Sequence, residues 1–193
     1  MAASYFDVDG TLFSTSLVEP TLFYLLNQPT PAQTARRVGR ALLQAPRMAF
    51  AELVDRRMFN ELLFSSYEGM SEDRLVLLAG EVFEKVMRPA MYRSARDLVQ
   101  KSRDAGHEIV LVSGALDVVL RLVAAHLGGA TVIGNRLEIK TGRATGKLLS
   151  PVIAGPEKAR VIRDHSRANG HDLAECFAFS DSYSDVPMLS VVG

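Results

Sequence analysis

A single cysteine, Cys176, stands in a chain of 193 residues, and tryptophan is absent. One thiol excludes an intrachain disulfide framework, and a reducing compartment is the expected setting. Cys176 lies in the apolar run Cys176-Phe177-Ala178-Phe179 and reads as a small buried core residue. Net charge is missing as well, because 22 Lys plus Arg balance 22 Asp plus Glu. That balance excludes a general nucleic-acid binder, which carries a basic field, and speaks against a constitutive binder of anionic membranes. No run of about 20 uninterrupted apolar residues occurs, so no transmembrane helix is expected. The N-terminal stretch through Asp7 lacks the basic and apolar regions of a signal peptide, and the cytoplasm is the expected location. Repeats and low-complexity tracts are absent. The four histidines, His107, His126, His165 and His171, are scattered without metal-ligand spacing, and the sequence assigns them no role.

What is present is an ordinary globular composition, 48% hydrophobic and 23% charged. The length fits one domain, or a core carrying a smaller insert, and such a chain buries roughly two-thirds of its unfolded surface. Residues 3–8 precede a Gly-Thr turn and predict a buried strand. From about 17 to 87 apolar residues recur at helical spacing, with breaks at Pro29-Thr30-Pro31, Pro46 and Gly69. This predicts three or four helices with no strand between them. A helix is expected from about 92 to 104, then a strand over Glu108–Ser113 and a helix opened by Gly114-Ala115. A short strand at 130–134 follows, and Thr141-Gly142 between alternating segments predicts a hairpin over 136–149. Gly155-Pro156 begins a helix, Ala174–Ser180 reads as a strand, and a helix begins at Asp185. From residue 88 onward, helices and strands alternate across long connections. That is the signature of parallel βαβ units and an α/β sheet. The helical block 17–87 enters directly after the first strand. There it can sit over the carboxyl ends of the strands, where open α/β sheets bind ligands.

Four short motifs fall at these predicted strand ends and helix starts. In Asp7-Val8-Asp9-Gly10-Thr11, a strand ending at Asp7 and a glycine turn can bring two carboxylates to one centre. One can stay ionised and attack phosphorus while the other keeps a proton for the leaving group. Ser113-Gly114 combines a hydroxyl with a glycine at a helix start and can bind a phosphate oxygen; a simple N-cap is the ordinary alternative. Lys158 lies in a first helical turn, where the helix dipole disfavours a cation, and so suggests neutralisation of a phosphate or of the nucleophile. Ser180-Asp181-Ser182-Tyr183-Ser184-Asp185 follows a strand at once, and a carboxylate there can face Asp7. Two or three carboxylates plus a carbonyl suffice for Mg²⁺. Together the motifs supply a nucleophile, an acid, a phosphate donor, a cation and metal ligands, which is what phosphoryl transfer requires.

In this order the motifs resemble those of the haloacid dehalogenase superfamily of phosphohydrolases, in the branch that includes phosphoserine phosphatase. The likeness runs over essentially the whole chain. It implies a Rossmann-like parallel-sheet core, residues 1–16 plus 88–193, with an inserted helical cap at 17–87. It implies a Mg²⁺-dependent phosphatase acting on a small phosphomonoester through an aspartyl-phosphate on Asp7, with Asp9 as general acid/base. By the same resemblance Thr11, Ser113 and Gly114 bind the phosphoryl group and Lys158 stabilises the charged pair. Asp7, Asp9 through its main-chain carbonyl, and Asp181 hold Mg²⁺, and Asp185 supports that shell. Arg57 matches a cap arginine that reads a substrate carboxylate. Asn135-Arg136-Leu137 and the Thr141-Gly142 turn also resemble that branch.

Two departures stand against phosphoserine itself and against a complete family member. Ser16 occupies the place of the glutamate that reads the substrate amine, with Glu19 slightly further on. The chain stops at Val191-Val192-Gly193, where relatives continue with another strand and helix; a trimmed chain and one domain of a longer protein are both open. The alternative functions are a phosphotransferase on the same scaffold and a phosphatase domain detached from a glycerolipid acyltransferase fusion acting on lipid phosphates. Asp9 opposes a dehalogenase, whose reaction has no leaving alkoxide to protonate. The stretch holding Arg36, Arg37, Arg40 and Arg47 most often reads as a solvated helix face, with contact to an anionic substrate tail, a partner or a membrane surface as the alternatives. Phe23, Tyr24, Phe50, Phe59, Phe64 and Tyr67 read as the core of the cap.

Overall fold

The structure, a computed structural model, describes residues 2–193. Its first strand, β1 (Ala3–Phe6), is buried along its whole length. A strand covered on both faces must lie inside a sheet, and β1 is flanked by β2 (Glu108–Leu116) and β6 (Phe177–Phe179). With β3 (Thr131–Asn135) the order is β3-β2-β1-β6, all parallel; Tyr5 lies opposite Val110 and Ala178. The α/β expectation therefore holds, and the strand connections run through α5 (Ala95–Asp104), α6 (Asp117–His126) and α7 (Pro156–Asn169).

Side chains alternate across a strand, so neighbours on β1 feed different cores. Phe6 and Leu111 join Leu120, Tyr24, Phe64 and Leu78 on one face. Tyr5, Val110 and Val112 join Ile162, Cys176 and Met188 on the other. The first of these cores contains both sheet and helical-insert residues. The insert comprises α1 (Val18–Leu26), α2 (Pro31–Val54), α3 (Arg56–Ser65) and α4 (Glu72–Val82), followed by a π-helical turn over Phe83–Met87. Tyr24 and Tyr67 lock it internally, with ring centroids 4.9 Å apart and the Tyr24 hydroxyl donating to the Leu75 carbonyl at 3.1 Å.

The hairpin is present as β4 (Leu137–Lys140) and β5 (Arg143–Leu148). Thr141 and Gly142 both have positive φ, 47° and 71°, as a two-residue turn matched to strand twist requires. β5 docks on the insert: the Ala144 N–H donates to the Met70 carbonyl and its own carbonyl accepts from the Gly69 N–H, each at 2.8 Å.

Four expectations change. Pro46 does not break the chain, because α2 runs through it; proline removes one helical hydrogen bond, but this stretch is exposed. Phe50 is no core residue, being 63% exposed on α2 beside Leu53 and Leu43. Ser113-Gly114 does not open a helix: β2 continues to Leu116 past a register shift after Val112, and α6 starts at Asp117. β6 is shorter than expected, because Leu173–Glu175 forms a 3₁₀ turn.

Candidate active site

At the carboxyl edge of the sheet, β1 ends at Phe6 and the Asp7 N–H still donates to the Phe179 carbonyl at 2.9 Å. The backbone then turns sharply. Gly10 has φ 81°, and its N–H donates to the Phe13 carbonyl at 2.7 Å. A Cβ at Gly10 would fall 2.3 Å from an Asp181 carboxylate oxygen, so only glycine both takes this turn and admits that side chain. Gly10→Ala is expected to destabilise the fold by about 1–3 kcal/mol through backbone strain and collision, measurable as a lower urea midpoint; an unchanged midpoint would refute the close approach.

Asp7 is buried, and its Oδ1 accepts from Lys158 Nζ at 2.8 Å. The same ammonium donates to Asp185 Oδ2 at 2.5 Å, and Ser180 Oγ donates to that oxygen at 2.7 Å. Pro156 begins α7 and brings Lys158 into its first turn, 5% exposed. The dipole misfit noted in the sequence is thus offset by two buried carboxylates. Burial opposes the lysine charge, but Asp7 and Asp185 outweigh it and raise the ammonium pKa. Burial pushes the Asp7 pKa up, against the pull of Lys158.

Asp9 has a different environment. Thr15 Oγ1 donates to its Oδ1 at 2.9 Å, and Ser113 Oγ lies 3.5 Å from Oδ2. Burial first, and the nearby Asp7 charge second, push its carboxyl up to about 7. Asp7 is thus paired with an ammonium, while the Asp9 carboxyl is held near 7.

A cavity of about 170 Å³ opens between these groups, reached by Asp7, Asp9, Ser113, Gly114, Lys158 and Asp181. Ser113 Oγ is positioned by the Ala115 N–H at 3.0 Å. Asn135 ties the cavity wall together: Nδ2 donates to the Gly114 carbonyl at 2.8 Å, and Oδ1 accepts from the Ile153 N–H at 2.8 Å. Asn60 reaches down from α3, donating to the Ile153 carbonyl at 3.2 Å. Its Oδ1 is buried with no hydrogen-bond partner among the described residues, and Asn60 lines the cavity. Thr15 and Asn60 escaped the sequence reading; a buried amide gives no local signal, since it depends on a segment 93 residues away.

Not every expected residue reaches the cavity. Arg57 turns away, 62% exposed and paired with Glu61 at 3.0 Å. Asp55 caps the N-terminus of α3, and one residue of helical rotation puts Arg56, not Arg57, on the cavity wall. Thr11 is absent from the lining and instead holds Asp181, donating to Oδ1 at 2.9 Å. Glu19 bends back onto Ser16, accepting from its N–H at 2.8 Å and its hydroxyl at 2.5 Å. It therefore closes the start of α1 and is absent from the cavity lining.

The acids do not gather as tightly as expected. Among the described residues, no three of Asp7, Asp9, Asp181 and Asp185 bring oxygens within 4.8 Å of one another. Asp9 Oδ1 accepts from Thr15, and Asp185 Oδ2 accepts from Lys158 and Ser180. The donors still suit a hard divalent cation. Two buried acids, Asp7 and Asp185, share the Lys158 ammonium, Asp9 and Asp181 line the same cavity, and Asp185 Oδ1 is buried without a partner among the described residues.

The family model for haloacid dehalogenase-like hydrolases matches residues 5–190. Phosphoserine phosphatase SerB1 of Mycobacterium tuberculosis is 34% identical over 126 residues, 65% of this chain and 41% of that protein. The chain thus spans about two fifths of that relative. A phosphoserine phosphatase of Streptococcus thermophilus is 30% identical over 188 residues, 97% of this chain and 79% of that one. A solved structure of a Bordetella pertussis protein of unknown function superposes with a TM-score of 0.79 at 25% identity, covering 99% of this chain and 86% of that one. A substrate-bound phosphoserine phosphatase has the same fold, with a TM-score of 0.71 at 16% identity over 100% and 83% of the two chains. The chain belongs to the haloacid dehalogenase-like hydrolases, in their phosphoserine phosphatase-like branch.

Proposed function

We propose that the chain hydrolyses small phosphomonoesters through a covalent phosphate on Asp7. The observation that carries this reading is the pairing of buried Asp7 with Lys158 beside a second carboxyl, Asp9, raised to about 7, at the edge of a small polar cavity. Asp7 attacks phosphorus, and the ester oxygen leaves with the proton of Asp9. Water then attacks the phosphorus of the aspartyl-phosphate, giving its proton to Asp9 and releasing phosphate with the original Asp7 carboxylate. Lys158 holds Asp7 oriented and balances charge, while Ser113 Oγ and the Gly114 backbone offer donors to the phosphoryl oxygens. The helical insert 17–87 acts as a cap whose α3 supplies Asn60 and Arg56 to the cavity.

Asp7, the main-chain carbonyl of Asp9 and Asp181 are the residues that would hold Mg²⁺, which when bound supplies charge neutralisation for the transferring phosphoryl group.

Glu19 is committed to the helix start, which leaves the cavity without an amine-reading carboxylate. Asn60 offers a neutral amide on the cavity wall in its place. Substrates carrying a hydroxyl or amine donor near the ester are favoured over those without one. The test is release of inorganic phosphate from a panel of amino-acid, sugar, nucleotide and glycerolipid phosphates, with and without Mg²⁺. Turnover that requires Mg²⁺ and prefers donor-bearing esters is expected, and Asn60→Leu should level that preference. Transfer of the phosphoryl group to an added alcohol, with no free phosphate, would replace hydrolysis by phosphotransfer. No turnover on any member would remove the proposal.

A further inference from the structure

A second cluster of chemistry-bearing side chains lies at the opposite edge of the sheet. Glu108 begins β2 and pairs in register with Ala3, four residues before Asp7 on the neighbouring strand. At about 3.3 Å per strand residue it sits some 13 Å from the catalytic end. Two of the scattered histidines meet it there, correcting the expectation that they have no ligand arrangement. One nitrogen each from His165 and His171 and one oxygen from Glu108 all lie within 4.8 Å of one another.

The three side chains are held by different elements, each anchored. His165 lies on α7, seven residues beyond Lys158, so one helix serves both edges of the sheet. Its ring stands edge-on to Tyr5, whose hydroxyl is 3.2 Å from Nδ1. That contact directs Nε2 towards Glu108, 3.5 Å from Oε1. His171 follows the left-handed Gly170 that ends α7, and its N–H donates to the Ser166 carbonyl at 3.0 Å. Its Nε2 lies 2.6 Å from Glu108 Oε2. Thr131 Oγ1 donates to Glu108 Oε1 at 2.6 Å and fixes the carboxylate. The two imidazoles stack with planes 21° apart.

We infer that Glu108, His165 and His171 form a binding site for one borderline divalent cation of the Zn²⁺ class, distinct from the phosphatase centre. Two imidazoles and one carboxylate with a solvent-filled fourth position are a recurrent three-ligand set for Zn²⁺. Metal–ligand bonds of about 2.0–2.1 Å in a tetrahedron place ligand atoms roughly 3.3 Å apart. The His165–Glu108 separation, 3.5 Å, is close to that value and too long for a good hydrogen bond. The His171–Glu108 pair, closed to 2.6 Å, opens by less than about 1 Å to admit it. Tyr5 and Thr131 stand as the outer partners that orient a ligating histidine and a ligating carboxylate. Hard cations such as Mg²⁺ prefer oxygen donors, so the two sites select different ions. A bound ion would clamp the start of β2 to α7 and the segment behind it.

The test uses the full chain carrying Asp7→Asn, stripped with chelator and kept in excess Mg²⁺ to occupy the other centre. Zn²⁺ is titrated by calorimetry, and Co²⁺ by its visible absorption, which is intense for tetrahedral ligation. One ion per chain is expected, with a raised Tm. Glu108→Gln, His165→Ala and His171→Ala should each abolish saturable binding, and Tyr5→Phe should weaken it about 10–100-fold. Glu108→Gln is nearly isosteric, and circular dichroism of the apo variants shows that they are folded. No saturable binding, or binding that survives loss of both histidines, overturns the site. Neither outcome depends on phosphatase activity, so this inference and the proposed function fail independently.

Discussion

Replacing Asp7 with Asn is expected to abolish phosphate release while leaving the fold intact or stabilised. The substitution keeps the shape of the side chain and removes its nucleophilic charge, and loss of a covalent nucleophile costs on the order of 10⁴–10⁶-fold in kcat. Its effect on stability has the opposite sign. Asp7 and Asp185 share one ammonium and all three side chains are buried, and burial holds the Asp7 pKa above its ordinary value. An acid whose pKa is raised by folding costs stability once it ionises, so the cost is present at neutral pH and disappears as pH falls through the raised pKa. Asn mimics the protonated form. The variant should therefore melt at or above the parent temperature near pH 7, and the gap should close in acid. Scanning calorimetry across pH, beside a phosphate-release assay, measures both. Retained turnover would dismiss Asp7 as nucleophile, and a clearly lower Tm would show that the carboxylate stabilises the fold.

The same tension between chemistry and stability explains how the site was legible in sequence. The candidate acids Asp7 and Asp9 stand where a short strand stops, and the apolar stretch before Asp7 followed by Gly10 makes that stop visible. Lys158 was visible through its misfit with the helix dipole, and the structure places it between the acids. The parallel sheet was legible because strands buried on both faces read as unbroken apolar runs, as in Ile109–Val112. What stayed hidden depended on long-range packing. Whether Arg56 or Arg57 faces the cavity turns on one residue of helical phase, set by the Asp55 cap, and periodicity locates helix ends no better than that. Pro46 broke α2 in the sequence reading because composition cannot reveal that the helix is exposed there. Glu108, His165 and His171 show no ligand spacing because they meet only through the docking of α7 on the sheet edge.

Lys158→Met should damage the protein more broadly than any other single change at the site. Its ammonium is the only positive charge hydrogen-bonded to Asp7 and Asp185 among the described residues, and all three side chains are nearly inaccessible, at 7%, 8% and 1% exposure. Methionine fills much the same volume but leaves two buried carboxylates facing each other without a counter-charge. Breaking a buried ion pair from one side costs about 3–5 kcal/mol, which in a chain of this length lowers Tm by roughly 6–20 °C. Turnover should fall as well, by on the order of 10²–10³-fold, because a preorganised positive charge beside the transferring phosphoryl group is gone. The stability loss and the activity loss have separable causes. Adding Asp7→Asn and Asp185→Asn to Lys158→Met removes the stranded charges and should recover most of the urea midpoint, yet restore no activity, since the nucleophile has been removed with them. A near-parental midpoint for Lys158→Met alone would mean that water or a cation already neutralises the two acids, and that the lysine is dispensable to the fold.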